Sequence, residues 1–396
     1  MAASIAGDVA DRACQALRAR IDAIGGAGPL FLRSYDGPDG LRPDPEPALG
    51  GAFTYDNALA AIALHACGDD ARARRIADAL LEAAENDRSG VRGRLRNAYR
   101  PGLVKEHPIP PMGWWSDQDQ HWAEDPYEVS SATGNMAWAA LALLTLAEAT
   151  HDQRYVLGAA EIAKWSIDAA YAMQPLQGFT GGIYGYDDKP VPLTWKSTEH
   201  NIDMTAVLDW LARADSKKSW QSYARAARAF VAAQWDPSGG HFWIGTTLDG
   251  KTPNRKNQGL DAELWPLLLE NPPETWKASL AFVERSFAVK GGFDFNDDRD
   301  GIWLEGTAQA ALVYRLLGRN NDADRLFSTI AAQFSPGGMV WATDVRRLTT
   351  GLALSPTSTR DDFYYYRLPH LGATAWAALA ATGWDPFTGR KVARSE

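Results

Sequence analysis

The residues with the most chemistry in this 396-residue sequence sit at the starts of helical segments. TYDNALAAIAL opens with Tyr55, Asp56 and Asn57, and SATGNMAWAALALL carries Asn135. STEHNIDMTAVLDWL carries Glu199, His200, Asn201 and Asp203. GLDAELW brings Asp261 and Glu263, LEGTAQAAL brings Glu305 and Gln309, and LGATAWAALAA follows His370. Glu199 and Asp203 are four apart, which puts them on one helix face. Acids at helix starts have an ordinary explanation, because they cap orphan N–H groups and meet the positive end of the macrodipole. These segments are otherwise apolar and central, so a ring of carboxylates at their ends is costly unless it serves a ligand. Glycosidic hydrolysis requires such a set: one protonated carboxyl for the leaving oxygen and one ionised carboxylate opposite.

The elements that must position these residues recur as helix pairs joined by short turns. First members begin near residues 54, 132, 198, 259, 304 and 371 and are apolar nearly all round, as in AWAALALLTLA. Second members carry charge on one face, as in ARARRIADALLEAAEN. An opening helix over residues 3–24 has no predecessor and the last helix has no successor, so the two ends close a ring. The reading is all-α: an (α/α)6 toroid of six inner and six outer helices forming a single domain over 1–396. Linkers into the inner helices are long and rich in Gly, Pro and Trp (88–131, 174–197, 236–258, 290–303, 335–370). They gather on one face, beside the inner-helix N-termini, where function tends to concentrate. Two read as β-hairpins, GFTGGIYGYDDKPVPLTW and GGHFWIGTTLDGKT with a turn at Asp249–Gly250. The stretch Tyr35–Pro47 reads as a loop crossing the barrel.

On the TYDNALAAIAL, STEHNID and W-L-EGTAQ-A segments and the twelve paired helices, the chain resembles the six-hairpin glycosidases, bacterial (α/α)6 enzymes acting on oligo- or polysaccharides. The resemblance implies two carboxylates, one acid and one base, across a cleft at the inner-helix N-termini. It does not assign them.

From the residues, Glu199 is the expected general acid, kept protonated by Trp195 and its surroundings. Glu305 or Asp56 would be the base, with Asp203 and His200 orienting. Tyr55, Asn201, Asp261 and His370 are expected to bind substrate. Trp114, Trp115, Trp195 and Trp303, with Trp122, Trp243 and Trp341, would be platforms for sugar rings. Trp138, Trp165, Trp210 and Trp376 lie inside helical patterns and read as core. Gly306 would let a ligand or loop approach closely.

Other classes find little support. A net charge of −9 without a Lys/Arg run argues against nucleic acid and anionic membranes. No apolar stretch is long enough to span a membrane. As written the chain reads as cytoplasmic; removal of a leader would make it periplasmic or secreted. Cys14 and Cys67 read as plain core residues. NDDRDG opens like a calcium loop, but its twelfth position is Thr307, so no metal is expected. No phosphate loop, dinucleotide fingerprint or nucleophile motif appears, so no cofactor is expected. Among alternatives, a polysaccharide lyase would draw on FYYYRLPH with Arg346, Arg347 and Arg367, and a sugar epimerase on His200 and His370. A non-catalytic carbohydrate-binding protein is a third reading. A terpene cyclase would want a drier cavity than these polar loops provide.

Overall fold

In a computed structural model, residues 4–37, 47–215 and 218–392 are described, so most of the Tyr35–Pro47 stretch lies outside them. The twelve helices are α1 (Ile5–Ile24), α2 (Thr54–Ala66), α3 (Asp70–Glu85), α4 (Thr133–Thr150), α5 (Gln153–Ala170), α6 (Thr198–Ala214), α7 (Lys218–Ala233), α8 (Leu260–Leu264), α9 (Ala278–Ser286), α10 (Leu304–Leu316), α11 (Asn320–Ala331) and α12 (Leu371–Thr382). The even-numbered helices form the inner ring, each packing on the next and α12 closing against α2. They need apolar surface all round, and α4 and α12 are buried along almost their whole length. The outer helices bury one face only, as α3 does through Ala73, Ile76, Ala77 and Leu80. The architecture is the all-α (α/α)6 toroid.

Helix α8 is shorter than the pattern GLDAELWPLLLE suggests. Pro266 cannot donate to a continuing helix, so the chain passes into a 3-10 turn over Trp265–Leu268. Both expected hairpins form: Gly182–Tyr184 pairs with Val191–Leu193, and the Asp249 carboxylate accepts from the Lys251 and Thr252 N–H groups at its turn.

The ring is closed at α1, which packs on α12, α11 and α2. Here the cysteine expectation is corrected. Cys14 on α1 and Cys67 at the end of α2 are joined in a disulfide, their Cα atoms 5.8 Å apart. The sequence hides this because α1 meets α2 only through closure of the toroid. At the same end, Trp384–Asp385 pairs with Arg390–Lys391, and Phe387 between them plugs the barrel beneath Trp138 and Trp265.

One device repeats six times and fixes the inner-helix starts. The fourth residue of each inner helix receives the backbone N–H of the chain segment leading into it. Asn57 accepts from Leu32 at 2.8 Å, Met136 from Leu95 at 3.4 Å and Asn201 from Phe179 at 2.8 Å. Glu263 accepts from Phe242 at 3.1 Å, Thr307 from Phe293 at 3.1 Å and Thr374 from Val340 at 3.0 Å. At 100° per residue, the fourth position faces nearly opposite to the second. The clamp therefore aims second positions at the barrel axis.

Candidate active site

Those second positions are, in ring order, Tyr55, Gly134, Glu199, Asp261, Glu305 and Gly372. Three consecutive inner helices thus present a carboxyl to the axis, facing a half-ring of glycine and tyrosine. Two third positions, Asp56 and His200, lean on the second position of the preceding inner helix. A Cβ on Gly134 would lie 2.9 Å from His200 Nε2, and one on Gly372 would lie 2.6 Å from Asp56 Oδ1 and 2.8 Å from Glu305 Oε2. Glycine at these two places makes room for His200 and Asp56. Those two distances leave Asp56 Oδ1 and Glu305 Oε2 no more than 5.4 Å apart.

Glu305 is buried, and its Oε1 accepts from the Tyr55 hydroxyl at 2.5 Å. That hydroxyl accepts in turn from the Trp376 indole N–H at 3.0 Å. Glu305 Oε2 has no hydrogen-bond partner. Burial pushes the Glu305 carboxyl up to about 7, opposed by His370 and Tyr55 and reinforced by Asp56 and Asp261. His370 caps α12: its Nδ1 accepts from the Ala373 N–H at 3.2 Å, which puts the proton on Nε2, 3.4 Å from Asp56 Oδ2. Its ring stacks on Tyr35 at 4.3 Å. Burial works against charge on His370, but Asp56 and Glu305 outweigh it and raise its pKa.

Glu199 is pushed well above the usual carboxylate range by burial, then by Asp261 and Glu305. Asp261 rises to about 6 through burial, held back by the Ala262 N–H and its own. Asp203, one turn below Glu199 and wholly buried, is pushed well up by burial, then by Glu199 and Asp261. Only the Trp138 indole N–H draws it down, from outside hydrogen-bond geometry. His200 falls to about 4 through burial, its Nδ1 unpartnered. Trp195 lies 5.6 Å from the His200 ring. Lysine and arginine make no ion pair with Asp56, Glu199, Asp203, Asp261 or Glu305 among the described residues.

The structure thus brings together Tyr55, Asp56, Glu199, His200, Asp203, Asp261, Glu305, His370 and Trp195. It separates others. Asn201 is a clamp: its amide also donates to the Phe179 and Ser197 carbonyls, which leaves nothing for substrate. Trp303 is 1% exposed and caps α10, packed on Phe295 and Tyr365. Gly306 makes room for the Trp303 ring and Leu260, not for a ligand. Trp114 and Trp115 lie on a hairpin (Trp114–Ser116 with His121–Ala123), and no hydrogen bond or ring contact joins them to the acids among the described residues. Trp122, Trp243 and Trp341 each carry a guanidinium on one ring face, from Arg100, Arg255 and Arg367. Trp138, Trp165, Trp210 and Trp376 are core, as expected.

Three tyrosines of the linkers escaped the sequence reading as mouth residues. Tyr35 faces Asp56 and Glu305, Tyr127 faces Glu199 and Asp56, and Tyr365 faces Glu305, Asp261 and Asp56; burial and these acids raise all three. Elsewhere, carboxylate oxygens of Asp294, Asp298 and Asp300 lie within 4.8 Å of one another. Thr349 donates to Asp298 and Asp300, and the Asp300 N–H donates to Asp294, so the loop closes on itself.

No family model matches the chain, and no curated protein matches it significantly. Solved structures do. A glycosidase variant in complex with glucose is 16% identical, covering 97% of this chain and 98% of its own, with a TM-score of 0.59. A cellobiose 2-epimerase from Spirochaeta thermophila is 12% identical, covering 96% of each chain, with a TM-score of 0.63. A GH76 alpha-mannanase from Bacteroides thetaiotaomicron is 13% identical, covering 93% and 94%, with a TM-score of 0.58. The likeness is one of fold, from end to end, and it matches the architecture that the resemblance to six-hairpin glycosidases implied.

Proposed function

We propose that this chain is a glycoside hydrolase, one domain that cleaves a saccharide with Glu199 as general acid and Glu305 as general base. The observation that carries the reading is the register of Glu199, Asp261 and Glu305, aimed at the axis from three consecutive inner helices with no lysine or arginine paired to them among the described residues. Like charges packed together cannot all ionise, so the proton is retained by the acid that has no donor to hold its charge: Tyr55 donates to Glu305 and the Ala262 N–H to Asp261, and neither serves Glu199. Glu199 holds its proton and gives it to the leaving glycosidic oxygen. Glu305, ionised with help from the Tyr55 hydroxyl and His370, takes a proton from the water that attacks the anomeric carbon. The negative charge of the Asp261 carboxylate disfavours a second one on Glu199 and so keeps the Glu199 proton in place, and Asp56 holds His370. Acid and base come from helices separated by α8, an arrangement that supports an inverting mechanism, in which a water stands between the two carboxyl groups.

The glycosidase and mannanase among the fold neighbours support a carbohydrate substrate, and the bound glucose makes glucose a rational first probe. The epimerases support a second reading, for which His200, neutral and unpartnered, is a candidate base. Its partner acid is lacking: both nitrogens of His370 are engaged, with Ala373 and Asp56. A lyase needs a cation against the uronate, yet Arg347 stacks on Tyr364 and Arg367 on Trp341. The disulfide supports a periplasmic or secreted location over a cytoplasmic one.

The test is purified protein incubated with a glycan panel, products read by mass spectrometry. Glu199→Gln and Glu305→Gln should keep the fold and lower turnover by about a thousandfold or more. Normal hydrolysis by both variants would falsify the assignment.

A further inference from the structure

One turn below the carboxyl ring, the inner helices contribute Leu59, Trp138, Asp203, Trp265, Gln309 and Trp376, all buried. The three tryptophans come from alternate helices and lean on one another, with ring centroids 5.4, 5.8 and 6.0 Å apart. Phe387 seals Trp138 and Trp265 from beneath at 5.2 and 5.3 Å. The barrel is therefore closed at this end, and anything entering between the carboxyls stops here.

This floor is polar. Both polar atoms of the Gln309 amide and the indole N–H of Trp265 have no hydrogen-bond partner among the described residues, and Asp203 has only the Trp138 indole N–H near it, outside hydrogen-bond geometry. In ring order, Asp203 stands between the indoles of Trp138 and Trp265, and Gln309 between Trp265 and Trp376. A buried polar group left unpaired is costly, and this layer gathers several of them. The layer is built to be completed by an occupant. Burial, Glu199 and Asp261 all disfavour charge on Asp203, and the set offers donors and acceptors together. Alcohol hydroxyls, each a donor and an acceptor, complement such a set; carboxylates and phosphates, finding no cation, do not.

We propose that Asp203, Gln309, Trp138 and Trp265 form a hydroxyl-binding floor that receives the hydroxymethyl group of a neutral terminal hexose. The chain then acts at saccharide ends. The proposal rests on the carbohydrate reading of the site above.

Calorimetric titration with glucose and with xylose, which lacks the hydroxymethyl group, tests it. The full-length protein should bind glucose about tenfold more tightly than xylose. Gln309→Leu should abolish that difference without lowering the melting temperature, since an apolar group replaces unpaired polar atoms. Asp203→Asn, which keeps a donor and an acceptor, should retain most of it. Equal binding of the two sugars, no binding of either, or a difference that survives Gln309→Leu overturns the floor; ordered water then fills it. Such a failure leaves the hydrolase reading to the glycan panel. Conversely, a panel without hydrolysis beside a Gln309-dependent glucose preference removes the reaction and keeps the floor.

Discussion

Replacing Asn201 with alanine separates a clamp from a substrate contact. The Asn201 side chain accepts from the Phe179 N–H at 2.8 Å and donates to the Phe179 and Ser197 carbonyls at 2.9 and 2.8 Å. Phe179 is wholly buried, so truncation leaves its N–H and carbonyl without water or partner. At about 1–3 kcal/mol for each orphaned group, the loss is about 4 kcal/mol. With an unfolding entropy of about 2.1 cal/mol/K per residue, a chain of this length should melt about 5 °C lower. The change is measured by calorimetry beside steady-state kinetics well below the melting range. kcat and KM on whichever glycan the panel identifies should move by no more than about twofold. Asn57→Ala, which breaks the equivalent clamp on Leu32, should cost a similar amount. An Asn201→Ala protein that melts like wild type but shows a tenfold higher KM would refute the clamp and restore Asn201 to the substrate.

Tyr55→Phe removes the hydroxyl that holds Glu305 down from still higher values, so the acid limb of kcat/KM should move to higher pH, with kcat about tenfold lower; an unmoved limb refutes the positioning role. Glu263 rises from the usual 4.5 to about 7, chiefly through burial, with His241 opposing. Its folded pKa lies above its unfolded one, so its contribution is full below about pH 4.5 and is lost as pH rises through 7. At about 1.4 kcal/mol per unit it amounts to at most about 3 kcal/mol. Glu263→Gln should flatten the melting curve between pH 5 and 8, and an equally steep curve in the variant counts against the assignment. Reduction of Cys14–Cys67 opens a closed loop spanning 53 positions, which should cost about 4 kcal/mol; melting unchanged by reductant, with thiol titration confirming reduction, contradicts it.

The inner-helix starts were legible because a helix buried on every side must be apolar on every side, and that run begins abruptly. α2 spans Thr54–Ala66, the segment read from the sequence, and α10 and α12 begin at the expected residues 304 and 371. Trp303 was not legible as core. It falls in a linker by pattern, yet it is the cap of α10 and folds into the space that Gly306 leaves. Tyr35 and Tyr127 sit in loops, where no periodicity reports which way a side chain faces, and Tyr365 is the buried centre of a three-residue strand, Tyr364–Tyr366, too short to show its alternation in the sequence. The disulfide needs ring closure, which no local pattern encodes. A signal for the clamps was present: a glycine followed within two residues by a large apolar residue precedes several inner helices, as in Gly178–Phe179, Gly240–Phe242 and Gly292–Phe293.

The register gives the four-residue spacing its meaning. Glu199 and Asp203 share a helix face, as the spacing requires, but sharing a face at the end of an axial helix stacks two residues one turn apart along the barrel. They cannot flank a scissile bond as acid and base. Residues that can do so come from the same level of different helices, which is the relation of Glu199 to Asp261 and Glu305. Asn201, between Glu199 and Asp203 in sequence, is turned some 200° from Glu199 and meets the ribbon behind the helix. In this toroid, position within the first two turns decides where a side chain stands: the second residue at the axis, the fourth against the segment behind the helix, the sixth one turn further down the barrel.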